Sequence, residues 1–105
     1  MAGGGSFSSD QGFTTLTADG NFKRITGGTT DIGPCRITYI QANGSAANCT
    51  VKLYDGTSAT GNPTFQAKFG TEGLDMFIPG SGIRFITGVY LDLDTTDSVT
   101  IGYTG

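Results

Sequence analysis

Apolar and polar residues alternate strictly in two segments of the chain, residues 49–54 and 89–94. Every second side chain in each segment is apolar, and these are Cys49, Val51 and Leu53 in the first segment and Val89, Leu91 and Leu93 in the second. A period of two is typical of a β-strand, because successive side chains point to opposite faces of a sheet. Both segments therefore predict strands with one buried face and one solvent face.

Short runs of Thr, Val, Ile, Phe and Tyr between turn residues predict further strands. The expected strands span residues 13–18, 22–26, 35–42, 49–54, 64–69, 74–78, 83–87, 89–93 and 99–103. Glycine beside Asp, Asn or Pro predicts turns at residues 19–21, 43–45, 55–56 and 79–82, the last as a hairpin turn. With no helical period, the sequence predicts an all-β fold, an antiparallel two-sheet sandwich that is jelly-roll-like, with an up-and-down barrel as the alternative.

Two hairpins are expected from the loop lengths. Residues 35–42 pair with 49–54, and residues 89–93 pair with 99–103 so that Leu93 faces Val99 and both apolar rows align. The first hairpin puts Cys35 roughly 20 Å from Cys49, at ~3.3 Å per residue, which is too far for a disulfide. We therefore expect two free, buried thiols, as in most cytosolic proteins.

Residues 1–12 form a separate segment by composition, rich in Gly and Ser and poor in apolar residues. They predict an extended N-terminal arm, with residues 13–105 as a single β-sandwich domain. A Gly-rich arm buries little surface, so its expected use is binding rather than folding. Phe7 is its candidate anchor.

Charge is scarce along the chain and argues against several classes of partner. Charged residues make up 14% of the sequence and the net charge is −3. Without a basic stripe we expect no nucleic-acid partner, and without an apolar run of about 18 residues we expect no membrane partner. No secretory signal is recognisable either, which predicts synthesis in a cytoplasm.

The side chains that most enzymes use are missing or dispersed. The sequence has no histidine, and Glu72 is its one glutamate. Asp55, Asp75 and Asp92 give no sign of convergence, so we expect neither an enzyme nor a cofactor. The aspartates of residues 92–97 lack the glycine and the terminal glutamate of a calcium loop, so no metal site is expected.

Three aromatic residues fall on the faces opposite the main apolar rows of their strands: Tyr54, Phe77 and Tyr90. Aromatic side chains at such positions are either scattered over the surface or grouped into a contact patch. With Phe7, they are the candidate partner-binding residues.

Three segments resemble the sequences of small virion proteins of tailed phages. They are residues 52–59 (KLYDGTSA), 73–85 (GLDMFIPGSGIRF) and 88–93 (GVYLDL). The resemblance covers residues 35–103 and implies a β-sandwich present in many copies on a virus particle. It implies a capsid decoration (cement) protein bound to the major capsid protein or to other virion proteins. A homo-oligomer, with a trimer as the first expectation, accords with that role. A small tail or fibre component and a carbohydrate-binding module are the alternatives.

Overall fold

Nine β-strands and no helix make up residues 11–105, the part of the chain that the computed structural model describes. The strands are β1 (Gln11–Leu16), β2 (Gly20–Asn21), β3 (Cys35–Gly44), β4 (Cys49–Asp55), β5 (Phe65–Phe69), β6 (Leu74–Phe77), β7 (Ile83–Phe85), β8 (Val89–Asp94) and β9 (Thr96–Thr104). No helix in this part of the chain could cross a membrane. The predicted all-β class is confirmed.

The strands form two antiparallel sheets that pack face to face. One has the order β1-β9-β3-β6, with β7 also paired to β3, and the other has the order β2-β8-β4-β5. If β6 and β7 are counted as one interrupted strand, the two four-stranded orders are those of a jelly roll. The sandwich prediction and its jelly-roll character are therefore confirmed.

Both predicted hairpins are wrong. β3 pairs with β6, β7 and β9, whereas β4 pairs with β5 and β8, so β3 and β4 belong to different sheets. β8 and β9 are separated in the same way. The physical reason is that a short connection rich in turn residues serves equally well as a corner between two packed sheets.

Several local predictions also differ from the structure, among them the turns at 19–21 and 43–45, since Gly20–Asn21 form β2 and β3 continues to Gly44. β1 begins at Gln11 and pairs there with Thr104, so residues 11 and 12 belong to the sheet and not to the arm. Residues 22–26 are not a strand, although Phe22 is fully buried. Residues 79–82 do not form a hairpin turn, because β6 and β7 both run antiparallel to β3 and follow one another along it.

The core lies between the sheets and uses the predicted apolar faces. Cys49, Val51 and Leu53 from one sheet meet Val99 and Ile101 from the other, all fully buried. Leu93 packs against this core while partly exposed. Burial of these side chains supplies the main stabilisation, at ~25 cal/mol per Å² of apolar surface.

Both cysteines are buried and free, which confirms the prediction about the thiols. The reason differs from the one expected, since Cys35 and Cys49 lie on strands of opposite sheets.

Candidate binding surfaces

An aromatic row crosses the outer face of the five-stranded sheet. Phe13 on β1 lies opposite Gly102 on β9, Gly102 lies opposite Tyr39 on β3, and Tyr39 lies opposite Phe77 on β6. Phe13 is 57% exposed and Phe77 is 78% exposed. We call these four residues the aromatic row. Four positions far apart in sequence are therefore in direct cross-strand register on a solvent face.

Two backbone features build the row. The register of β3 against β9 shifts between Ile37 and Tyr39, so that Thr38 is bulged and the buried positions are Ile37 and Ile40. The bulge resets the alternation and turns Tyr39 outward. Gly102 supplies the space, because a Cβ there would lie 2.8 Å from the Phe13 ring and 3.1 Å from the Tyr39 Cβ.

The rings contact one another at an angle and do not form a flat platform. The Phe13 and Tyr39 centroids are 6.0 Å apart with 66° between the ring planes, and those of Tyr39 and Phe77 are 4.8 Å apart with 52°. The Tyr39 hydroxyl donates a 2.8 Å hydrogen bond to Asp75 Oδ1, and that bond raises the pKa of the phenol. These contacts favour one arrangement of the three rings.

Two polar rows flank the aromatic row on the same face. The basic row consists of Gln11, Thr104, Arg36 and Arg84, which are successive cross-strand partners. The polar row on the other side consists of Thr15, Thr100, Gln41 and Asp75, again in register. Positive charge therefore lies on one side of the rings and negative charge on the other.

A second surface is a groove of about 540 Å³ on the outer face of the four-stranded sheet. It is lined by Thr50, Lys52, Gln66, Lys68, Asp92, Leu93 and Asp94. Lys52 is the cross-strand partner of both Asp92 and Gln66. The groove is mostly polar, with charges of both signs on neighbouring strands.

The four predicted contact residues fall in different places. Phe77 is exposed, as expected, and is the outermost ring of the aromatic row. Tyr90 is half-buried. Phe7 lies outside the described residues.

The predicted exposure of Tyr54 is wrong, because only 7% of that residue is exposed. Tyr54 is buried outside the main core cluster, near the end of β4. The loop that follows β4 returns to this end of the strand, where the Thr64 amide donates a hydrogen bond to the Leu53 carbonyl. Alternation identifies the face on which a side chain lies but not what packs over that face.

Sequence reasoning missed Phe13 and Tyr39 as contact residues. The bulge at Thr38 hides Tyr39, because alternation carried from Ile37 puts residue 39 among the buried positions. Phe13 has no distinguishing feature in the sequence beyond its place in the first strand. The signal that was available is Gly102, since a glycine inside a strand often marks a close approach by a large neighbour.

Two of the described aspartates accept hydrogen bonds from other parts of the fold. Asp55 accepts hydrogen bonds from the backbone amides of Ile86, Thr87 and Gly88, and Asp75 accepts one from Tyr39. In residues 11–105, no group of three or more Cys, Asp or Glu side chains is placed to hold a metal ion.

No family model matches this chain, and neither a curated protein nor a solved structure matches it.

Proposed function

We propose that this chain is a non-enzymatic structural protein of a phage particle, a decoration protein that binds and stabilises the outer surface of the shell. The aromatic row carries the proposal. A soluble domain rarely leaves aromatic rings side by side on a sheet face without a use, since such patches mark interaction sites. Tyr and Phe at the centre of a polar surface are also typical of protein–protein contacts.

The tilt of the rings supports a protein partner over a sugar. A pyranose ring stacks best on a flat aromatic face, and the row instead presents rings inclined to one another by 52° and 66°. Inclined rings leave gaps that side chains of another protein can fill, as in the packed centre of an interface.

The partners follow from the resemblance of residues 35–103 to small virion proteins. The major capsid protein is the proposed binding partner, with other virion proteins as its alternatives and the virion as the location. A homo-oligomer fits this role, because an oligomer multiplies weak contacts with a repeating shell. A trimer remains a prediction of the resemblance alone.

Sedimentation with particles tests the proposal. Particles of the encoding phage that lack the chain are mixed with the purified protein, pelleted and analysed by quantitative mass spectrometry. We expect binding that saturates at a fixed number of copies per shell and raises the temperature at which the shell releases its DNA. Binding to isolated tails but not to heads would contradict the decoration role and favour a tail component.

The polar groove favours a second candidate, a carbohydrate-binding module. Its lysine, aspartate, glutamine and threonine side chains can donate to and accept from sugar hydroxyls. Screening on a glycan array tests this function. A specific glycan whose binding is lost in Gln66→Ala, and kept in a Phe77→Ser control on the opposite sheet, would support it.

A further inference from the structure

We propose that the outer face of the five-stranded sheet binds the same face of a second copy of this chain, about a two-fold axis that runs along the aromatic row. The inference rests on the proposed function in one respect, that the aromatic row binds protein. It goes further in assigning this face to a second copy, which leaves contacts with the shell to the other surfaces of the dimer.

The distribution of charge about the aromatic row is the main argument. Arg36 and Arg84 lie on one side of the rings and Asp75 lies on the other. Asp75 and Arg84 also occupy the same column of the sheet, because β6 and β7 both pair with β3 on the same side. The charge on this face therefore changes from positive to negative along the direction of the strands. Arg84 and Asp75 lie at its two ends, both on the edge formed by β6 and β7.

A half-turn about the row brings the positive side of one copy against the negative side of the other. It lays aromatic row on aromatic row and exchanges the two flanking rows, so that Arg84 of each copy faces Asp75 of the other. Arg36 then faces Gln41. A half-turn about an axis parallel to the strands would instead place basic row on basic row, which is unfavourable. Of the two axes aligned with the sheet, only the first matches opposite charges.

Contacts within a single copy also indicate why Arg36, Arg84 and Asp75 would be stabilised by a second copy. Arg36 and Arg84 are direct cross-strand neighbours, an arrangement in which like charges destabilise a sheet. Neither arginine nor Asp75 is in a salt bridge within residues 11–105, although Arg84 lies near Asp55 and Asp75 accepts a hydrogen bond from Tyr39. An arginine–carboxylate contact between copies would relieve the repulsion and add directional hydrogen bonds.

The size of the face sets the expected affinity. Four strands at ~4.8 Å spacing and three rows of outward side chains at ~6.6 Å spacing cover roughly 20 Å by 20 Å. Two such faces bury roughly 800 Å² in total, in the range of weak and transient interfaces. We therefore expect a reversible dimer that dissociates on dilution through the micromolar range.

Charge reversal and mixing test the two-fold contact. Arg84→Asp and Asp75→Arg each place like charges together in both halves of the dimer, so each variant alone should be monomeric. An equimolar mixture should dimerise again. In the mixed dimer the aspartate introduced in one variant faces the arginine introduced in the other, and the native pair of Arg84 and Asp75 is kept in the second half.

Sedimentation velocity from about 5 to 500 µM measures the association, with far-UV circular dichroism as the check on folding. We expect each single variant to weaken self-association at least tenfold and the mixture to recover it.

Two exposed apolar residues provide a second test and its matched control. Phe77→Ser removes the outermost ring of the aromatic row and should also abolish the dimer. Ile86→Ser removes a side chain that is 61% exposed but lies outside the row, and it should leave the dimer intact.

Three results would overturn the inference. They are a wild-type chain that stays monomeric at 500 µM, a trimeric mass, or single reversals that do not affect the dimer. Each of them leaves the decoration role standing, because that role is decided by the particle-binding experiment. Failure to bind particles would in turn leave the dimer unaffected.

Discussion

Two adjacent threonines on β1 show how much depends on the direction of one hydroxyl. Thr14 points into the sandwich, is 1% exposed, and its Oγ1 has no hydrogen-bond partner in the described residues. Thr15 points outward, and its Oγ1 lies 2.7 Å from Thr100 Oγ1. Burying an unpaired hydroxyl costs ~1–3 kcal/mol, so the Thr14 hydroxyl destabilises the fold and the paired Thr15 hydroxyl does not.

Replacing each threonine by valine should therefore give opposite results. Thr14→Val keeps the shape, removes the unpaired hydroxyl, and should raise the free energy of unfolding by about 1 kcal/mol. Thr15→Val removes a hydrogen bond and should lower it by about 0.5–1 kcal/mol. Urea denaturation measures both. A Thr14→Val protein less stable than wild type would mean that the hydroxyl has a partner in solution.

Thr95 is the one non-glycine residue with positive φ in residues 11–105, at 57°. A β-branched residue is strained in this region. The Thr95 carbonyl is fixed from three sides, by the Ser45 amide at 3.4 Å, the Ser45 hydroxyl at 2.8 Å and the Cys49 thiol at 2.9 Å. These donors hold the strained corner at which β8 of one sheet turns into β9 of the other.

Glycine at position 95 should relieve the strain and keep the carbonyl. The left-handed conformation costs an L-residue ~1–2 kcal/mol, and the greater chain entropy of glycine cancels part of that gain. We expect Thr95→Gly to raise the free energy of unfolding by about 0.5–1 kcal/mol. Thr87→Gly, at an exposed loop position without positive φ, is the matched control and should lower it by a similar amount. Equal losses in both variants would refute the strain at Thr95.

The buried thiols should react only when the protein unfolds. Burial, with a smaller contribution from the Asp55 charge, outweighs the opposing effect of Arg24 and raises the pKa of Cys35 to about 11. Cys35 is therefore almost entirely protonated at pH 8, and the thiolate is the reactive form. A maleimide reagent should label two thiols per chain in non-reducing denaturant and few in the native state. A count below two after denaturation would indicate a disulfide.

At the scale of elements, alternation predicted most of the strands and the inward faces of β4 and β8, but not which strands pair. The inward faces of β4 and β8 were correct because burial dictates the period of two along each strand. Pairing failed because residues 45–48 and Thr95 are corners, and the same turn residues occur at hairpins and at corners. The aromatic row was largely invisible for a related reason. It is assembled from four strands, and one of its positions depends on a bulge that no local pattern marks.

Asp55 ties the end of β4 to the segment that carries the chain from β7 to β8. Its carboxylate accepts 2.8 Å hydrogen bonds from the amides of Ile86 and Thr87 and a 3.4 Å bond from that of Gly88. Partial desolvation pushes the pKa of Asp55 upward, but these three donors and the nearby Arg84 outweigh it, and the net pKa is lowered. The contact therefore stabilises the fold only while the carboxyl is ionised.

The pH dependence follows from the sign of that shift. A lowered pKa contributes stability that is fully present above the unfolded value of about 3.9 and is lost as the pH falls through the folded value. Asp55→Asn should lower the free energy of unfolding at pH 7 by about 1 kcal/mol, a figure reduced for solvent screening at this exposed position. It should also lessen the loss of stability below pH 4 in thermal unfolding curves. Asp97→Asn, on an exposed side chain of β9, is the control and should do neither.

At the scale of the whole molecule, β9 links parts of the chain that are far apart in sequence. It lies between β1 and β3, and its pairing of Thr104 with Gln11 joins positions at opposite ends of the described chain. The outer face with its aromatic row exists only once this strand is in place, because Gly102 lies between Phe13 and Tyr39. The complete aromatic row is therefore a property of the finished sheet and of no shorter part of it.

The central place of β9 has a consequence for biosynthesis. While the chain is being translated, β1 and β3 are complete long before residues 96–104 leave the ribosome, and each presents unpaired backbone amides and carbonyls to its surroundings. Such edges can pair with the same strands of a neighbouring nascent chain. The chain is thus most open to misassembly in the interval before β9 emerges and fills the gap between β1 and β3.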